Sequence, residues 1–122
     1  MPTGLQTFDT IIVPAREDGF QSVFLGKRCW HAVRIHESKL AELKFVVAYR
    51  VAPLGEITHC AEILEIVPYL ATRKYEIRFK GLPRAIGPIL RTSSIPSMQT
   101  ARYALMTNIL RARTLEEIWP AD

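Results

Sequence analysis

The sequence predicts an α+β fold, a small and strongly curved mixed β-barrel closed by short helices. Three observations predict it. Residues 44–51 (KFVVAYRV) are apolar on both faces up to Arg50, with Phe45, Val47, Tyr49 and Val51 on one side and Val46 and Ala48 on the other. That composition fits a central strand covered twice. Two further β-segments follow, about 59–67 and 74–80, and the second alternates cleanly: Tyr75, Ile77 and Phe79 inward, Lys74, Glu76, Arg78 and Lys80 toward water. Pro53 and Gly55 break the chain between the first two, so the strands meander through short turns. A sheet this short needs helices to close its ends.

The remaining elements fit around that centre. Residues 9–14 (DTIIVP) form an apolar strand that Pro14 ends, and because proline has no N–H for a ladder Pro14 belongs at a strand end or edge. Acids at 17 and 18 open a short amphipathic helix whose Phe20, Val23 and Phe24, at i, i+3 and i+4, plug the core; Gly26 suits its C-terminal turn. In the next strand, 29–35, alternation places Cys29, His31, Val33 and Ile35 on one face and Trp30, Ala32 and Arg34 on the other. Ser38 caps a single turn carrying Leu40 and Leu43. Residues 81–97 read as a long loop with one short strand at 86–90. Residues 98–112 read as the clearest helix, with Tyr103, Met106 and Leu110 on one stripe and Leu105 and Ile109 beside it. Thr114-x-x-Glu117 matches a capping box for a last turn ending near Trp119 and Pro120.

A chain of 122 residues, 48% hydrophobic and 23% charged, has the composition of one ordinary globular domain, 1–122, with its core at about 9–119. No apolar run approaches the roughly 20 residues that cross a bilayer. The start, MPTGLQTFDT, lacks the pattern of a signal peptide. Cys29 and Cys60 have no ligand spacing, so a reduced, cytoplasmic protein is expected. The net charge of +4 is unevenly distributed. Residues 1–72 carry seven Lys/Arg against eight Asp/Glu, and residues 73–122 carry nine against four. A basic half of this kind suits an anionic partner, of which nucleic acid is the commonest.

The chemistry follows the same direction. His31 and His36 are five apart and His59 adjoins Cys60, none of which matches a zinc pairing, so no metal is expected. There is no GxGxxG, P-loop or nucleophile elbow, so no cofactor and no catalytic residue is assigned. If the strands meander, Trp30 and Tyr49 meet Thr58 and His59 at one rim of the barrel. Together they make a base pocket: two rings to stack, a hydroxyl and an imidazole to bond a base edge. Arg50, Arg78, Arg84, Arg102 and Arg113 are the candidates for phosphate contacts.

At FVVAYRVAPLGEITHCAEILEI, KYEIRFKG and ARYALMTNILRARTLEEIW the sequence resembles the PUA-like superfamily, which includes the PUA, ASCH and EVE modules. The resemblance implies a curved barrel that binds DNA or RNA, reads a flipped or modified base, and works beside a nuclease partner in restriction or defence. It also implies two alternatives. One is an ASCH-like amidohydrolase acting on a modified nucleoside through Lys, Thr and Glu; Thr58 and Glu62 are available, with Lys44 and Lys74 both possible for the lysine. The other is a protein-interaction subunit regulating a nuclease.

Overall fold

In a computed structural model, residues 8–92 and 98–119 are described. The predicted loop positions 93–97, with Ile95, and Pro120 at the expected end of the last turn lie outside them. The described residues form a mixed, curled seven-stranded sheet, a half-barrel with a few short helices. Its strands are β1 (Thr10–Ala15), β2 (Cys29–Val33), β3 (Phe45–Arg50), β4 (Glu56–Pro68), β5 (Tyr75–Phe79), β6 (Arg84–Leu90) and β7 (Arg102–Ala104). They run in the order β2-β5-β4-β3-β1-β7, with β6 also on β4. The long β4 makes the curl: its first residues pair with β6, and from Ile63 onward it pairs with β5.

β3 lies between β4 and a parallel β1, as its two-sided apolar pattern predicts. Val46 and Ala48 enter one buried cluster with Ile11, Val13, Phe20, Phe24, Ile77 and Phe79. Val47 and Tyr49 enter a second cluster on the opposite face, with Ile57, Cys60, Ile89, Ile109, Leu115 and Ile118. A short helix α1 (Glu17–Gly19), continued by a wide π-helical turn (Phe20–Leu25), seats Phe20 and Phe24 on the first face. The other face is covered by α2 (Met106–Arg111) and a 3₁₀ turn, Leu115–Ile118.

Three predicted elements differ from what is observed. The helix expected at 98–112 is a strand and a shorter helix. Arg102–Ala104 pair with Thr10–Ile12, and the chain turns helical only at Met106, whose N–H donates to the Asp9 carboxylate at 2.8 Å. The apolar residues of this stretch fit both periods, and pairing with the free edge of β1 decides between them. Ile109 is buried while Leu110 is exposed, so the stripe also sits differently from the expected one. In β2 the pairing slips between Trp30 and Val33, with Ala32 at φ +62°, so the expected alternation fails there and Trp30 and Val33 both pack on the first cluster. Pro14 does not end β1, which runs through Ala15. The Val51 N–H donates to the Ala15 carbonyl toward β3, so by alternation the Pro14 nitrogen faces the other edge. No donor exists there to extend the β7 ladder, and β7 pairs only as far as Ile12.

Candidate functional site

That interrupted ladder leaves the half-barrel with an open seam. Among the described residues β2 pairs with β5 alone, and β1 loses β7 beyond Ile12, so the two strands border the seam without pairing to each other. Between Val13–Pro14 on one side and Trp30, Ala32, Val33 and Arg34 on the other lies a cleft of about 420 Å³. Gln99, Thr100 and Ala101 close a third side, and Lys74 reaches in from the start of β5. The size is that of a small-ligand site, and the lining combines one large aromatic wall with a few polar groups.

Trp30 is held firmly in that wall. Its ring meets Phe24 edge-on at 6.2 Å between centroids. Behind it is Gly19, where a Cβ would come within 3.2 Å of the indole, so a larger residue there would press the ring aside by a few tenths of an ångström. Arg34 and Lys74 pair with no carboxylate among the described residues, which leaves both charges available to a ligand.

The residues expected to join Trp30 are placed elsewhere. Tyr49 is fully buried in the second cluster, on the other face of the sheet, and has no ring surface to offer a base. Thr58 and His59 share the face of Trp30 but stand apart from it. Between Trp30 and His59 run Phe24 and Phe20, in ring contacts of 6.2, 5.7 and 5.1 Å. A register slip at Thr58 makes it the extra residue opposite β3. Its Oγ1 meets His59 Nδ1 at 2.9 Å and accepts from Arg50 Nη1 at 3.5 Å. Arg50 in turn grips both oxygens of Glu17, at 2.6 and 2.7 Å, and lies over the Phe20 ring. The Arg50 hydrogen bond, then that of Gln21, holds the Glu17 carboxyl below its usual pKa. Burial, then the Arg50 charge, lowers the His59 imidazole.

The five arginines expected on phosphates do not form one patch. Arg50 is committed to Glu17, and Arg78 to Glu76 and Glu65 at 2.8 and 3.1 Å. Arg84 lines a separate pocket beside Cys60 and Glu62. Arg102 lies over Trp119, and Arg113 is exposed between α2 and the 3₁₀ turn. The alternative catalytic set is not assembled. Thr58 touches Arg50 on the Phe20 face, whereas Glu62 lines the pocket beside Phe45 and Cys60 on the other. Among the described residues no three metal-ligating side chains gather, and no helix is long and apolar enough to cross a membrane.

Sequence reasoning missed Arg34, Gln99 and Thr100. Pro14, expected at a strand end or edge, does mark an edge where pairing stops, but that signal says nothing of which residues stand across from it.

The curled half-barrel is similar in fold to solved ASCH proteins. A point mutant of the ASCH protein of Zymomonas mobilis superposes with a TM-score of 0.57 at 11% identity, over 81% of this chain and 90% of that one. A second ASCH crystal structure from Zymomonas mobilis gives 0.52 at 15%, over 78% and 87%. At these identities the likeness is one of fold. No family model and no curated protein matches the sequence.

Proposed function

We propose that this chain is a nucleic-acid-binding module that takes one unstacked base into the seam between β1 and β2. The observation that carries this reading is the cleft itself: an immobilised indole facing two cations that lack carboxylate partners. Trp30 stacks the base, Gln99 and Thr100 offer an amide and a hydroxyl to its edge, and Arg34 and Lys74 hold the flanking phosphates. A base turned out of a strand, or one altered by modification, suits a pocket of this shape better than a duplex does. Such a reader acts with a partner that cuts, the restriction or defence setting that the sequence resemblance implies.

Polarisation titrations with short single-stranded RNA and DNA, at two salt concentrations, test it. Binding is expected to weaken steeply with salt and to fall about ten-fold in Trp30→Phe or Lys74→Ala, with the fold intact by circular dichroism. Absence of binding, or binding indifferent to salt and to both substitutions, sinks the reading.

A further inference from the structure

The wall that closes the seam has a second side. Gln99, Thr100 and Ala101 also line a more open trough of about 520 Å³, completed by Met98, Arg102, Tyr103 and Trp119. There the Arg102 guanidinium lies 4.3 Å from the centre of the Trp119 ring. Trp119 is itself fixed: its Nε1–H donates to the Tyr103 carbonyl at 2.7 Å, and its ring packs on the apolar cluster under α2. Tyr103 is anchored in turn by pairing with Ile11.

Arg102 differs from the arginines that are already paired. It is exposed and has no carboxylate partner among the described residues, whereas Arg50 and Arg78 are both held by acids. A guanidinium already held over an indole has less freedom left to lose on binding. Arg102 is exposed, and a planar cationic group of this kind can stack a base as an aromatic ring does. The segment 99–101, bent at Thr100, separates this plate from the seam, and three residues span at most about 10 Å. A strand leaving the seam across that wall meets the plate next.

We infer that Arg102, supported by Trp119, is a second nucleotide subsite, which stacks a neighbouring base of the same single strand whose first base lies against Trp30. The inference rests on the seam reading and extends it: the ligand is single-stranded nucleic acid more than one nucleotide long, not a free nucleotide.

The chain has two tryptophans, so its indole N–H signals in a proton–nitrogen correlation spectrum report the two subsites separately. Titration of the whole chain with a nucleoside monophosphate is expected to shift the Trp30 signal alone. A single-stranded tetranucleotide of the same base is expected to shift both signals. Arg102→Ala is expected to abolish the Trp119 shift and to cut tetranucleotide affinity about ten-fold. Arg102→Lys keeps the charge but not the plate, and is expected to lose the Trp119 shift as well. A tetranucleotide that moves Trp30 but leaves Trp119 still overturns the second subsite and spares the seam. So does an Arg102→Ala protein that binds the tetranucleotide as tightly as the wild type. If neither ligand moves either signal, seam and subsite fall together.

Discussion

Arg50 closes on a carboxylate 33 positions earlier in the chain, and that closure sets the state of the groups around it. His59 lies beside this guanidinium with its ring against Phe20, and burial and the neighbouring charge both disfavour the imidazolium. Its folded pKa is therefore below the ordinary 6.5. The unfolded chain takes up the proton first, so His59's contribution to stability is present above 6.5 and is lost as pH falls from there through the depressed folded value. Glu17 is also depressed, from 4.5, so its contribution is present above 4.5 and lost further down the scale. Urea midpoints should accordingly fall in two stages on acidification. His59→Gln is expected to remove the upper stage and keep the lower one. Glu17→Gln is expected to keep the upper stage and weaken the lower one, to which Glu117, held down by the Arg113 and Thr114 backbone N–H groups, also contributes. A wild-type midpoint unchanged between about pH 7 and 5 contradicts this assignment. The same residues show what a sequence can give at this scale. Alternation put Tyr49 and Ala48 on opposite faces, which is what the sheet does with them. Whether the Tyr49 face was a pocket or a core depended on α2 and the turn after it, elements far along the chain. The two-sided apolar pattern announced a cover over Tyr49, but nothing local told whether that cover left a hollow or filled it.

Elements were most legible where one period stood alone, as in β3 and β5, and least where two periods fitted the same residues. The 98–112 stretch supports a helical stripe, yet Arg102–Ala104 pair with β1 because the strand edge there is otherwise open. Register slips were invisible for a related reason: the extra residue at Thr58 and the kink at Ala32 answer to partners across the sheet. β6 is such a case, and it can be tested. Gly87 has φ +71°, and a Cβ added there would stand 2.7 Å from the Ile89 nitrogen and 3.0 Å from the Ile57 carbonyl. Both neighbours are backbone and cannot swing aside. Gly87→Ala should therefore destabilise the fold by about 1–3 kcal/mol, through the left-handed conformation and the collision together. Urea unfolding measures it, and a midpoint equal to that of the wild type would mean that the bulge at β6 can be remodelled at no cost.

At the scale of the whole molecule the curled sheet was readable, but its opening was not. A seam is the absence of a pairing, here between β1 and β2, and no local pattern records a pairing that fails to form. The charge imbalance between the halves of the chain pointed to an anion without locating it. Of the two free cations that line the seam, Arg34 comes from the more acidic half and Lys74 from the basic half. This mixed origin gives the phosphate assignment a quantitative test. For a single strand, each neutralised phosphate adds about 0.7 to the slope of log affinity against log salt. Lys74→Ala and Arg34→Ala should each flatten the slope by about that amount, and the double variant by about twice as much. Arg78→Ala should leave the slope near the wild-type value, since its charge already faces Glu65 and Glu76. If instead Arg78 carries the salt dependence while Arg34 and Lys74 do not, the backbone of the ligand runs over β4 and β5. The base would then enter the barrel from a side other than the seam.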